Sequence, residues 1–261
     1  MMTQTKLDGQ VFLVSGGTQG IGEAIAKKLA ANGAAGIIIC GRNVERGQQV
    51  ATALQSSDCQ SLFVKTELGN AADCIALIES CDKKFGRLDG LVNAAGDTER
   101  GTIFDTTPEL WDRVFAVNAR APFLLIQGAA KIMIREGRGG AIVNIITMSS
   151  HGGQPKLVPY SASKGALATL TKNVAHGLLE DRIRVNGLNI GWANTPNEHA
   201  IQLAEGQPEN WLELAETRQP FGRLISTGDV ANAVLFLISA DSGVMTGSVI
   251  DFDQTIIGAY D

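Results

Sequence analysis

Only 4 cysteines occur among the 261 residues, and none stands in a CxxC or Cys/His spacing. No metal site is therefore expected, and Cys40, Cys59, Cys74 and Cys81 are expected to be reduced and packed in or near the core. No apolar run reaches the roughly 18 residues of a membrane span. The opening MMTQTKLDGQ is polar and lacks the hydrophobic stretch of a signal peptide. Positive charge is not in excess either: the formal net charge is -5. That balance offers no electrostatic ground for nucleic acid or an acidic membrane surface as a partner. These absences leave a soluble protein of a reducing compartment, cytoplasm by default.

Short β-rich runs alternate with longer helical patterns. Strands are predicted at 11–15, 36–40, 61–65, 90–93, 141–146, 184–188 and 248–251. Several, such as GIIIC and AIVNII, are nearly continuous apolar runs, as in strands buried on both faces of a parallel sheet. Helices are predicted at 22–32, 44–55, 71–85, 108–136, 159–180 and 228–239. Asn32-Gly33 is a C-terminal stop for the first of them, and Thr106 is a candidate N-cap before Pro108. No linker, repeat or low-complexity tract splits the chain. Residues 1–261 are thus expected to form a single α/β domain, a Rossmann-like doubly wound parallel sheet of about seven strands. The polar stretch at about 192–223, with Trp192 and Trp211, is expected to be a lid over the site.

Open sheets of this kind bind ligands beyond the C-terminal ends of their strands. There the first strand runs into Ser15-Gly16-Gly17-Thr18-Gln19-Gly20-Ile21-Gly22. Glycines allow a tight turn that brings backbone N–H groups against a pyrophosphate at the next helix N-terminus. The second strand ends in Gly41-Arg42-Asn43. An NAD site places a carboxylate near this point for the ribose 2′-hydroxyl, whereas an NADP site accommodates an arginine. With Arg42 and no acid, NADP is favoured over NAD, because a guanidinium suits a phosphate dianion. The alternative is that Arg42 is a solvated loop charge.

Together these residues resemble the ordinary-length branch of the short-chain dehydrogenase/reductase family, over nearly the whole chain. Its Gly-xxx-Gly-x-Gly turn is matched by Gly16, Gly20 and Gly22. Asn93-Ala94-Ala95-Gly96 matches its fourth-strand motif, Glu67-Leu68 the pair beside the adenine, and Asn118 the helix asparagine. Tyr160 and Lys164 match Tyr-xxx-Lys. With 2 tyrosines and about ten lysines, that last spacing would arise by chance roughly one time in ten; the order of all the motifs carries the resemblance.

The resemblance implies hydride transfer between a nicotinamide coenzyme and a carbonyl or secondary alcohol, with Tyr160 as general acid/base. A phenol serves if its pKa of about 10 is pulled down by a nearby ammonium and the oxidised nicotinamide. Lys164, one helical turn on, would reach both Tyr160 and the nicotinamide ribose. Asn118 would hold a relay water, a role compatible with that of a buried kink residue. The family's serine, thirteen residues before the tyrosine, is here Thr147, which keeps the hydroxyl and stiffens χ1; Ser149 is the alternative. After the sixth strand the family's Pro-Gly-x-x-x-Thr becomes Ile190-Gly191-Trp192-Ala193-Asn194-Thr195. Ile190, Gly191 and Thr195 would still meet the carboxamide.

The substrate pocket is expected among Thr98, Thr147, Ser149, His151 with its two following glycines, Trp192 and the lid. His151 either binds substrate or is a surface loop residue. Glu198 and His199 read first as lid surface. The polar set His151, Gln154, Asn194 and Glu198 favours a sugar or polyol over a steroid or acyl chain. The alternatives are an NAD-linked polyol or sugar dehydrogenase, a non-catalytic nucleotide sensor, and a non-redox epimerase or dehydratase. The resemblance also implies a homodimer or homotetramer through the helices at 108–136 and 159–180. The apolar C-terminal run 255–260 is a further contact or packs on its own subunit.

Overall fold

The computed structural model describes residues 7–258. Seven strands form one sheet in the order β3-β2-β1-β4-β5-β6-β7: β1 Val11–Ser15, β2 Gly36–Gly41, β3 Gln60–Lys65, β4 Gly90–Asn93, β5 Gly140–Thr147, β6 Ile183–Ile190 and β7 Val249–Phe252. Every neighbouring pair is parallel. Side chains alternate across the sheet. Phe12, Val14, Ile37 and Ile39 pack on one side with Ile25 and Leu29 of α1 (Gly20–Ala31) and Val230 and Val234 of α9 (Thr227–Ile238). Val11, Leu13, Ile38 and Cys40 pack on the other with Leu77 of α3 (Ala71–Phe85) and Leu125 and Ala129 of α5 (Ala121–Glu136). Two helical layers explain why the central strands read as unbroken apolar runs.

All four cysteines are free and buried, as expected. Burial pushes the Cys40 and Cys81 thiols up to about 12, far from the thiolate that reactivity requires. Among the described residues, no helix is long and apolar enough to cross a membrane. No group of three or more His, Cys, Asp or Glu among them could hold a metal ion.

The expected helix at 108–136 is broken. It comprises α4 (Pro108–Phe115), a π turn (Ala116–Arg120) and α5. Pro122 explains the break: it has no N–H for the carbonyl of Asn118, and its ring crowds that carbonyl. The ladder slips by one, so Ala121 N–H bonds Ala116 O, five residues back. The cap also moves by one residue. Thr107, not Thr106, accepts from Leu110 N at 3.2 Å, while Thr106 donates to Thr102 O. Pro108 thereby takes the first helical position.

The remaining α-helices are α2 (Val44–Leu54), α6 (Val158–Gly177), α7 (Pro196–Ala204) and α8 (Trp211–Glu216). The last two fill the polar stretch expected as a lid. They enclose a small core of Trp211, Ala215 and Leu224. Their ends are pinned by the pairing of Trp192 and Asn194 with Ile225. Of the C-terminal run, Ile256 and Ile257 are exposed, and Ala259 and Tyr260 lie outside the described residues, as do residues 1–6.

Candidate active site

β1 lies between β2 and β4, so the connections leave it in opposite directions and open a crevice at the strand ends. Register puts Ser15 beside Cys40 on one side and Asn93 on the other, with Asn144 next along. Gly16 has φ +68, and a Cβ there would sit 2.8 Å from Ala95 Cα. A Cβ on Gly22 would sit 2.3 Å from Gly16 O. The turn is thus clamped between the loop after β4 and the start of α1, where only glycine fits, and its N–H groups stay free to face a pyrophosphate. Thr18 packs against Gly41, and Ile21 against the core below. Thr195 reaches over Gly20, 3.8 Å from the position of a Cβ.

At the end of β2, Arg42 is exposed. Asn43 caps α2 by accepting from Arg46 N at 2.8 Å. This cap aims Arg46 back at the glycine turn, where its guanidinium donates to the Gln19 side chain. One guanidinium, that of Arg46, therefore lies at the turn. Arg46 was missed in the sequence, although its place three residues after a capping asparagine was a usable signal. Glu67 is turned into its own loop, accepting from Gly69 N. Leu68 is buried, its carbonyl accepting from Cys74 Sγ.

Beyond β4, Asn93 donates to Asn144 Oδ1 at 2.8 Å, and Asn144 donates to Thr171 Oγ1 at 2.9 Å. This buried ladder fixes the start of the Asn93-Ala94-Ala95-Gly96 loop, and Ala95 N is held by Ser15 Oγ. The polar residue inside AIVNII was its only trace in the sequence. Asn118 is fully buried in the π turn. Its amide accepts from Asp97 N and donates to Asp97 O and to Ser163 Oγ. Its side chain is consumed in joining this loop to α6, and Pro122 leaves its main-chain carbonyl without the usual helical donor.

Tyr160 stands in the first turn of α6, and Lys164 one turn on. Lys164 is only 3% exposed, and its Nζ donates to Ile145 O at 2.8 Å. Burial pulls its pKa down to about 8. Burial also pushes the Tyr160 phenol up to about 12, against a hydrogen bond from Thr147 that favours phenolate; the Glu198 carboxylate raises it further. The polypeptide alone therefore does not supply the lowering expected for the phenol, since desolvation outweighs the donors around it. Of the two candidate hydroxyls, Thr147 meets the phenol. Ser149 bonds Thr147 Oγ1 at 3.3 Å and donates to Gln154 Oε1 at 2.6 Å.

His151 is neither free nor unpartnered. Its Nε2 lies 2.8 Å from Asp251 Oδ1, an oxygen that also accepts from Asn189. Ile190 and Gly191 close β6 beside β7, with Gly191 N donating to Phe252 O. In the stretch after β6, Thr195 caps α7 through Glu198 N. Trp192 stacks on Trp211 at 5.9 Å, and Trp211 donates to His199. Glu198 is not the surface residue first expected: it is half-buried and accepts from Trp192 Nε1 at 2.8 Å and from Gln202 Nε2 at 2.7 Å.

A doubly wound sheet, a glycine turn at its switch point and a phenol with a buried lysine one turn on define a dinucleotide-dependent oxidoreductase. Residues 16–254 match the family model described as enoyl-(acyl carrier protein) reductase. A 3alpha-hydroxysteroid dehydrogenase of Mediterraneibacter gnavus is 35% identical over 249 residues, covering 95% of this chain and 96% of that one. An NADP-dependent (R)-specific alcohol dehydrogenase of Lentilactobacillus kefiri is 31% identical, with 93% and 94% covered. The solved structure of a short-chain type dehydrogenase/reductase from Mycobacterium ulcerans is similar with a TM-score of 0.86 at 28% identity, covering 95% of this chain and 90% of that one. The chain belongs to the short-chain dehydrogenase/reductase family, NAD(P)-dependent oxidoreductases acting on alcohol and carbonyl groups.

Proposed function

We propose that this enzyme is an NADP-dependent oxidoreductase acting on a hydroxylated carbonyl compound or its alcohol, of the sugar or polyol class. The observation that carries the coenzyme choice is the Arg46 guanidinium on Gln19 of the glycine turn, together with an exposed Arg42 and no carboxylate at the end of β2. Guanidinium groups match a 2′-phosphate. Support comes from the Lentilactobacillus relative, whose name gives NADP as its coenzyme. The turn 15–22, the loop 93–96 and Thr195 would hold the coenzyme, with Gly41, Asn43, Glu67 and Leu68 at its adenosine end and Ile190 and Gly191 at the carboxamide. The bound nicotinamide supplies or accepts the hydride.

The chain's own residues then manage one proton. In reduction the Tyr160 phenol gives its proton to the developing alkoxide, while Thr147 Oγ1 donates to the same oxygen. In oxidation the phenolate removes the alcohol proton. Lys164 offsets the phenolate charge, and the main-chain carbonyl of Asn118 is the acceptor available to a relay water behind it. The stretch 192–223 closes over the substrate, and Arg100 of the loop after β4 is ion-paired to Glu205 at the end of α7. Exposed Phe123 and Ile134 on α5 suit the proposed homodimer or homotetramer. Cytoplasm is the compartment we propose, where four free thiols stay reduced.

Steady-state kinetics over sugars, polyols and ketones with each coenzyme, followed by absorbance, test this function. Arg42→Ala should lower kcat/KM for NADPH roughly 10- to 100-fold, as loss of a charge-assisted hydrogen bond does, and leave NADH little changed. A wild-type preference for NADH that ignores Arg42→Ala would instead identify an NAD-linked dehydrogenase. A preference for hydrophobic ketones, as the hydroxysteroid relative's name would suggest, would refute the substrate class.

A further inference from the structure

Gly41 closes β2 about 20 residues past the glycine turn, where an NAD site carries its carboxylate. The main chain does not itself demand glycine there. Gly41 pairs in the sheet with Lys65 and is not among the glycines of positive φ. The demand comes from the glycine turn. A Cβ on Gly41 would sit 2.8 Å from Thr18 Oγ1 and 2.9 Å from Thr18 Cγ2, but 3.5 Å from Thr18 Cβ. The first two approaches are repulsive, whereas the third is ordinary contact. Rotation about χ1 gives no relief. Two of the three staggered positions on the Thr18 Cβ face Gly41, and threonine fills two of the three, so a heavy atom always remains in the way. Neither side can withdraw. The Gly41 carbonyl accepts from Thr66 N at 3.1 Å, and Thr18 is 7% exposed. Its neighbour Gly17 is seated so closely on β2 that a Cβ there would lie 2.6 Å from Ile39 Cγ2.

We propose that Thr18 is a specificity-determining residue for the coenzyme: its two γ atoms fill the space of any side chain at position 41 and so bar a ribose-binding carboxylate from the end of β2. This deepens the NADP reading and rests on it. Arg46 supplies attraction for a 2′-phosphate. Thr18 excludes the group that would recognise a bare ribose and repel that phosphate. The coenzyme choice therefore cannot be reversed at position 41 alone.

The test is a double-mutant cycle on the intact chain, read in two ways. In melts without coenzyme, Gly41→Ala should lower Tm by roughly 3–10 °C through overpacking, yet by less than about 2 °C in the Thr18→Ala background. In steady-state kinetics, Gly41→Asp should cut kcat/KM for NADPH roughly 100-fold by setting like charges together, and raise that for NADH less than about threefold. Adding Thr18→Ala to Gly41→Asp should raise kcat/KM for NADH roughly 10- to 100-fold, as a charged hydrogen bond to the 2′-hydroxyl is gained. Equal Tm losses in both backgrounds, or a full gain in NADH from Gly41→Asp alone, would overturn the proposal. Relief in Tm without any gain in NADH for the double variant would also overturn it, leaving Thr18 a packing residue only. If Gly41→Asp fails to fold while the double variant folds, the steric bar is upheld; failure of both leaves the decision to the Gly41→Ala melts. A wild type that prefers NADH overturns the NADP reading before any variant is made, and the melts then still decide whether Thr18 closes position 41.

Discussion

Replacing Lys164 with methionine should stabilise the fold while removing turnover. Lys164 is 3% exposed, and its ammonium donates to the carbonyl of Ile145. Its pKa falls from 10.5 to about 8 on folding, through burial. At about 1.36 kcal/mol per unit, the buried charge costs about 3 kcal/mol. Methionine matches the length of the stem but forfeits the bond to Ile145 O, returning about 1 kcal/mol. A net gain of about 2 kcal/mol at pH 7 corresponds to a rise in Tm of roughly 4–8 °C for a domain of this size. The pH dependence carries a definite sign. Below pH 8 the lysine is protonated in both states, and the whole cost is present. Between about 8 and 10.5 the folded chain has released a proton that the unfolded chain still holds, so wild-type stability rises with pH. The gap between wild type and variant should therefore close across that window. Circular-dichroism melts from pH 7 to 10.5 measure it, and kcat should fall by roughly 10²–10⁴. A variant that melts below the wild type at pH 7, or a gap that stays constant with pH, would refute the reasoning.

Two further substitutions probe the proton path and the break in the long helix. Thr147→Val deletes the hydroxyl that meets the phenol and should lower kcat about 100-fold, whereas Thr147→Ser should keep it within about tenfold; equal loss in both would show that the methyl, not the hydroxyl, matters. Pro122→Ala restores an N–H for the carbonyl of Asn118, so the π turn should relax to α-helix, visible as a shifted backbone in a crystal structure of the variant. That shift moves Asn118 and engages its carbonyl, and a loss in kcat of up to about 100-fold is expected with Tm unchanged or raised.

The strands were legible because a sheet covered on both faces leaves few polar positions to interrupt an apolar run, and all seven were found within a few residues. The glycine turn, Asn93–Gly96, Tyr160 and Lys164 were legible through order and spacing. What escaped depended on competition between neighbours. Periodicity continued on both sides of Pro122, so residues 108–136 read as one helix; the missing N–H at a single position decided otherwise. Thr106 and Thr107 are equally good caps by type, and the requirement that proline occupy the first helical position selected the second. Arg46 was not singled out, and Glu198 read first as lid surface. Each acquired a partner across space, Gln19 in one case and Trp192 in the other, which periodicity along the helix does not encode.

The electrostatics of the site point in one direction. Burial pushes the Tyr160 phenol up to about 12 and brings Lys164 down to about 8, so both ionic forms the chemistry needs are disfavoured by the polypeptide's own packing. Glu198 adds a further charge against the phenolate. Only Thr147 works the other way. Lys164 does not by itself offset this, so the site resists forming a phenolate until further positive charge arrives from outside the chain, and the oxidised form of a nicotinamide brings that charge where the reduced form does not. It follows that the pKa read from a pH profile should lie lower with the oxidised coenzyme bound than in the free enzyme. An absorbance titration of Tyr160, resolved from Tyr260 by Tyr260→Phe, would detect the difference, and identical titrations with and without NADP would show that some group of the chain supplies the charge instead.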